Sequence, residues 1–195
     1  MAGRPREFDT DDVLEAAMQC FWSNGYESTS LTDLVDATGL LKGSLYHAFG
    51  DKHSLFKQSL ERYLSKMRER VRSTFSASER SIDGVRKSLH CMIDIADADS
   101  RQPKGCMAIN SLIERVPFDA DVRSIMLAHR KQVTKQFVGE LAKAQAAGDI
   151  PPGRDLEQTF ALLMTFVAGL AATMKGPISK KDAHRLLDAQ LDAVL

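Results

Sequence analysis

The sequence predicts an all-α protein of about nine helices, with an N-terminal three-helix helix-turn-helix domain and a C-terminal helical domain. Apolar residues recur at helical spacing over most of the 195 residues. Period-2 strand patterns joined by hairpin turns are absent. Residues 30–52 contain two short helical patterns separated by one glycine, which is the arrangement of a helix-turn-helix.

Local signals define where the elements begin and end. Ser30 and Asp33 predict a capping box, Gly39 supplies the turn, and Gly50 ends the helix after it. The polar stretch Ser73–Ser81 predicts a boundary, so we expect a DNA-binding domain over 1–52, a connecting helix over about 52–72, and a ligand-binding and dimerisation domain over 73–195. The predicted helices cover about 11–24, 32–38, 42–49, 52–72, 82–96, 106–115, 120–147, 156–174 and 179–195.

Composition restricts the function classes. Apolar residues make up 44% and charged residues 27%, as in soluble proteins, and the net charge is zero, so any DNA-binding surface must be a local patch. The polar N-terminus is unlike a signal peptide, and the longest apolar run, Thr159–Met174, is too short for a bilayer. We therefore expect a cytoplasmic protein without a membrane partner.

The three cysteines and the absence of enzyme motifs exclude other classes. Cys20, Cys91 and Cys106 form no CxxC pair, so neither a zinc site nor a disulfide framework is predicted, and no cofactor is expected. The sequence has no Gly-rich phosphate loop, GxSxG or HExxH motif, which disfavours an enzyme.

The third predicted helix has the residues of a DNA-recognition helix. Leu45 and Phe49 can face the core, which leaves the N-terminal residues of the helix for base edges. Lys42 can donate to guanine, and Gly43 allows a close approach of the backbone. The remaining DNA-binding candidates are Ser44, Tyr46 and His47 for phosphates or base edges, Thr32 and Lys52 for phosphates at helix starts, and Arg4 and Arg6 for the minor groove.

The order T-S-L-T-D-L-V-x-A-x-G-L-x-K-G-S-L-Y-x-x-F-x-D-K-x-x-L-F, from Thr29 to Phe56, resembles the TetR/AcrR-type transcriptional regulators. The resemblance implies a homodimer that binds a pseudo-palindromic double-stranded DNA operator, usually represses, and is released by a small-molecule inducer. It also implies DNA contacts at Lys42, Gly43, Tyr46, His47 and Lys52. Leu41 departs from the pattern, because relatives often have a small or polar residue at this position. A leucine there would reduce the number of contacts with phosphate at the start of the recognition helix.

The C-terminal half contains the candidate sensing residues. Cys106 follows a lysine at a predicted helix start, which favours the thiolate and reaction with electrophiles or oxidants. A buried structural cysteine and a pocket-lining cysteine are the alternatives, whereas Cys20 and Cys91 are predicted to be inert core. The string KGCMAINSLIE also resembles TetR-type regulators, including some that sense electrophiles through this cysteine. The other candidates for ligand binding are Met92, Met107, Ile113, Met126, His90, Asn110 and His129.

The last two predicted helices are expected to form a four-helix dimer interface, with intramolecular packing as the alternative. The residues predicted for it are Phe160, Leu163, Met164, Val167, Leu170, Leu187 and Leu191. The sequence thus favours a homodimeric repressor released by a small ligand or by thiol modification. The alternatives are an activator of the same fold and a small-molecule-binding module without regulatory DNA binding.

Overall fold

The computed structural model describes residues 9–96, 104–176 and 178–195, and within these ranges the chain forms nine α-helices and no strand, which confirms the all-α prediction. The helices are α1 (Thr10–Asn24), α2 (Leu31–Thr38), α3 (Lys42–Phe49), α4 (Lys52–Ser76), α5 (Ser81–Ala96), α6 (Met107–Glu114), α7 (Ala120–Ala146), α8 (Leu156–Thr173) and α9 (Lys180–Val194).

The capping signals in the sequence act as predicted. The Ser30 N–H donates to Asp33 Oδ2 (2.7 Å), and the Asp33 N–H donates to Ser30 Oγ (3.1 Å), so α2 begins with a capping box. Gly39 ends α2 at φ +68°, a conformation that favours glycine, and this places the tight turn directly before α3.

The chain divides into two compact units within α4, between Tyr63 and Leu64. In unit 1, which ends at Tyr63, α1 packs on α2 and α2 packs on α3. The Phe56 ring lies 5.2 Å from the Phe21 ring and 4.9 Å from the Tyr26 ring. Leu34 and Leu45 are fully buried, so α2 and α3 are both anchored through apolar side chains.

In unit 2, which begins at Leu64, α5 packs against α7, α8 and α9, and α6 packs against α7 and α8. The fully buried Phe137 ring stacks 5.2 Å from Phe160 and meets Phe75 edge-on at 5.1 Å. This aromatic contact explains why α4 continues to Ser76, beyond its predicted end near residue 72. The polar residues Ser73 and Thr74 do not end the helix, because their hydroxyls donate to the Arg70 carbonyl.

Candidate nucleic-acid interface and sensing residues

The recognition helix α3 has one buried and one exposed side. Leu45 and Phe49 are buried in unit 1. The other side contains the predicted contact residues, of which Lys42, Gly43, Ser44 and His47 are exposed and Tyr46 is half-buried. The structure therefore brings these five residues together on one eight-residue helix, as the sequence predicts.

The first turn of α3 is open to an incoming anion. Leu41 occupies the N-cap position and its side chain makes no hydrogen bond. It therefore accepts from none of the first N–H groups of α3, which have no partner within the helix. Nothing lies within 4 Å of the position that a Cβ atom on Gly43 would occupy. Backbone N–H groups at such a helix start suit a phosphate oxygen.

Two lysines of unit 1 lie over aromatic rings. Lys42 Nζ lies 5.9 Å from the centre of the Tyr46 ring, and Lys52 Nζ lies 4.5 Å from the centre of the Tyr26 ring. Cation–π attraction at these distances limits the directions that both ammonium groups take. The stacking of Lys52 on Tyr26 could not be read from the sequence pattern.

The two remaining sets of DNA-binding candidates have different outcomes. Thr32 is exposed in the first turn of α2. The N–H and hydroxyl of Ser30 lower the pKa of Asp33, so a carboxylate already occupies this helix start, and we expect any Thr32 contact to use its hydroxyl. Arg4 and Arg6 lie outside the described residues.

The apolar sensing candidates do not share one environment. Met92 and Met107 are buried in unit 2, and Met126 is half-buried. Ile113 is 67% exposed, so its side chain faces away from the interior, contrary to the expectation that it lines a ligand cavity. Ile113 lies on α6, as predicted, but the buried residues of α6 are Met107, Ala108 and Ser111, and Ile113 is not on that side.

Cys106 is the N-cap residue of α6 and is 9% exposed. The segment before it lies tightly against the end of α8, since a Cβ on Gly105 would approach the Ala171 carbonyl oxygen to 3.2 Å. Asn110 closes this segment by donating from Nδ2 to the Lys104 carbonyl at 3.0 Å. The Asn110 amide therefore has a structural partner, and Cys106 is at a point where α6 meets α8.

The other two cysteines, Cys20 and Cys91, are half-buried. Burial is the main cause that raises the pKa of both thiols, which reduces the thiolate fraction. Neither residue is in the core, contrary to the prediction that both are core residues. In the described ranges, no group of three or more His, Cys, Asp or Glu residues is arranged to hold a metal ion.

His129 is a half-buried imidazole that accepts a hydrogen bond. Its Nδ1 lies 3.2 Å from Nη1 of Arg68, and because a guanidinium can only donate, Nδ1 must accept. Burial, with the Arg68 charge second, lowers the pKa of His129 from 6.5 to about 4.

His90 is part of a hydrogen-bonded chain between α5 and α9. Its Nδ1 lies 2.7 Å from Nδ1 of His184, and the two outer ring nitrogens lie 2.8 Å from Asp188 Oδ1 and 3.1 Å from Asp94 Oδ1. Burial alone would raise the pKa of Asp94, but hydrogen bonds from Lys180 and His184 outweigh it and lower that pKa. The polar groups of His90 are thus used within unit 2.

The predicted dimer residues lie mostly on the inner side of α8 and α9. Met164 is half-buried, and the other six are buried within the single chain: Phe160, Leu163, Val167, Leu170, Leu187 and Leu191. The opposite side of α8 is also apolar, and Leu162 there is 53% exposed.

Helix α8 is long and apolar enough to cross a membrane, by length and composition only. Core helices of soluble proteins also meet these two criteria. In the described ranges it is the one helix of this kind, with 33% of its span buried.

An exposed recognition helix that follows a glycine turn, on an all-helical scaffold, defines a helix-turn-helix DNA-binding protein of the transcriptional-regulator class. Residues 13–58 match the family described as bacterial regulatory proteins, tetR family, and residues 81–189 match the tetracyclin repressor-like C-terminal domain. The chain belongs to the TetR family of bacterial transcriptional regulators.

Individual relatives support this assignment along the chain. The HTH-type transcriptional repressor ComR of Escherichia coli is 30% identical over 173 residues, which are 89% of this chain and 82% of ComR. The regulator YezE of Bacillus subtilis is 32% identical over 184 residues, 88% of this chain and 92% of YezE. Both are regulators, which confirms the predicted class and the expectation that the chain is not an enzyme.

A solved relative has operator DNA bound. A cysteine-substituted form of the TetR-family regulator CifR, complexed with a 26-base-pair operator duplex, superposes with a TM-score of 0.86 at 28% sequence identity. The match covers 99% of this chain and 100% of the CifR chain.

Proposed function

We propose that this protein is a cytoplasmic homodimeric repressor that binds a pseudo-palindromic operator and is released by a small molecule or by modification of Cys106. The observation that supports operator binding is the open first turn of α3, where Lys42, Gly43 and Ser44 are exposed behind the Gly39 turn. A helix start in this state can enter a major groove and donate hydrogen bonds from its N–H groups to phosphate oxygens. The operator-bound relative of the same fold supports the same mode of binding.

The proposed dimer surface is the exposed side of α8 together with the neighbouring side of α9. Leu162, Gly169 and Ala172 are exposed on α8, Phe166 is half-buried there, and Leu186 is exposed on α9. Nothing lies within 4 Å of a Cβ built on Gly169, so a second helix could approach closely. This choice replaces the buried residues of the sequence prediction, because a side chain already covered by its own chain has little apolar area left to bury.

Selection of genomic DNA fragments by the purified, reduced protein, followed by sequencing, tests operator binding. We expect enrichment of one pseudo-palindrome with half-sites whose centres are about 34–36 Å apart, or a multiple of this distance. Absence of enrichment at low salt, where phosphate contacts are strongest, would contradict the proposal. Repression rather than activation would be supported by two observations. The operator would overlap a promoter, and deletion of the gene for this protein would raise transcription from that promoter.

Lys42→Ala is expected to weaken operator binding by about 1–3 kcal/mol, since it removes a donor to guanine or phosphate at the start of α3. Fluorescence anisotropy with the selected duplex measures the effect. Lys131→Ala is the matched control, because Lys131 is an exposed lysine on α7 in unit 2. Equal affinities of Lys42→Ala and the unmodified protein would remove Lys42 from the interface.

The proposed signal enters through unit 2. Met92 and Met107 are buried and suit an apolar ligand, and Cys106 lies where α6 contacts α8. With only 9% of Cys106 exposed, an adduct on its sulfur would require the segment around Gly105 to move away from α8. Since α8 also provides the proposed dimer surface, either event could shift the population away from the DNA-binding state.

Alkylation of the protein with N-ethylmaleimide is expected to lower operator affinity at least about tenfold through Cys106, a coupling within the usual range of 1–3 kcal/mol. Cys106→Ser should keep its affinity after the same treatment, whereas the control Cys91→Ser should remain sensitive. The readout is anisotropy, with mass spectrometry to count adducts. Full modification of Cys106 without loss of affinity would leave a non-covalent ligand as the releasing signal.

A further inference from the structure

Leu41 stands out in unit 1 as a large apolar side chain that is 68% exposed. It is the residue immediately before α3, with extended backbone at φ −65° and ψ 148°. Exposed leucines are common on protein surfaces. The position of this one is unusual, because it precedes the helix turn that the proposed function places in the major groove.

Leucine at this position stabilises the start of α3 less than a polar N-cap residue would. Ser, Thr, Asp or Asn at an N-cap accepts a hydrogen bond from the helix start, and leucine does not. The helices α1, α2, α7, α8 and α9 all have such a residue, namely Asp9, Ser30, Asp119, Asp155 and Ser179. At α3 the chain therefore has an apolar group where a polar one would stabilise the helix better.

The major groove has one apolar feature that such a side chain can recognise, the C5-methyl group of thymine. We propose that Leu41 reads a thymine methyl group in each operator half-site and so helps to determine sequence specificity. This inference rests on the proposed operator binding, and it names a base that the Lys42 contact does not select. A leucine that touched only deoxyribose would add affinity without any preference for thymine.

Replacement of thymine by deoxyuridine tests this inference, because it removes the methyl group and leaves the base pair unchanged. Each thymine of the selected operator is replaced in turn, symmetrically in both half-sites, and the affinity of the full-length protein is measured by anisotropy. Loss of one buried methyl group is worth about fourfold in affinity. We therefore expect one position at which the double replacement costs about 15-fold with the unmodified protein and nothing with Leu41→Ala.

Two further variants keep the test decisive. Leu41→Ser restores a good N-cap residue, so it should fold at least as stably as the unmodified protein and still lose the thymine preference. Leu127→Ala, a change at an exposed leucine on α7, should retain the full penalty.

The outcomes separate this inference from the proposed function. Binding of the operator with no penalty at any deoxyuridine position, or the same penalty in Leu41→Ala as in the unmodified protein, would overturn the role of Leu41 alone. If the unmodified protein selects no operator at low salt, operator binding itself fails, and the inference fails with it.

Discussion

Leu162→Glu is expected to make the protein monomeric and to lower operator affinity at least about 100-fold, the lower end of what joining two binding modules contributes. Leu162 is on the exposed side of α8, where the proposed partner helix would bury it. A carboxylate there would have to lose its water against apolar groups of the second copy. A monomer presents a single recognition helix and cannot hold two half-sites at once.

Light scattering after size-exclusion chromatography measures the oligomeric state, and fluorescence anisotropy with the operator measures the affinity. Leu127→Glu is the matched control, since it introduces the same charge at an exposed leucine of α7 and should remain dimeric. Helical circular dichroism equal to that of the unmodified protein must accompany the change, so that unfolding is not mistaken for dissociation. A dimeric Leu162→Glu protein would show that another surface joins the two copies.

Acidification from pH 6.5 to 4 is expected to remove about 2 kcal/mol of stability from unit 2 through His129 alone. The pKa of this imidazole falls from 6.5 to about 4 on folding, so above pH 6.5 the ring is neutral in both the folded and the unfolded state. Between the two values only the unfolded chain takes up the proton, and the folded state loses stability as the pH falls. A shift of this size corresponds to about 3 kcal/mol, which the partial exposure of the ring reduces.

His129→Asn isolates this contribution, because the amide oxygen can accept from Arg68 and cannot titrate in this range. Urea unfolding followed by circular dichroism gives the free energy of unfolding at each pH. The difference between the two proteins should be constant above pH 6.5 and shrink or reverse by about 2 kcal/mol towards pH 4. A constant difference over the whole range would contradict the low pKa of His129.

The sequence was informative where the cause of a structure is local. The capping box of Ser30 and Asp33 and the turn at Gly39 depend on residues within four positions of each other, and each was predicted correctly. The exposed residues of α3 followed from the spacing of Leu45 and Phe49 alone.

The sequence was less informative where contacts are distant or where a pattern has two solutions. Helix α8 is apolar on both sides, so helical spacing does not show which side the chain buries itself, and the residues predicted for the dimer lie mostly on the inner side. The partner of His90 is His184, 94 positions along the chain, and no spacing rule connects them. The sequence predicts an end of α4 near residue 72, whereas the helix continues to Ser76 because Phe75 packs on the distant Phe137.

The hydrogen bonds between the imidazole rings and carboxylates of α5 and α9 require a definite number of hydrogens. The short contact between His90 and His184 needs one hydrogen, and each outer nitrogen needs another to donate to Asp188 or Asp94. Two neutral imidazoles supply only two hydrogens for these three contacts. With these two hydrogens alone, one of the three links between the helices is left without a hydrogen, so the full set needs a third.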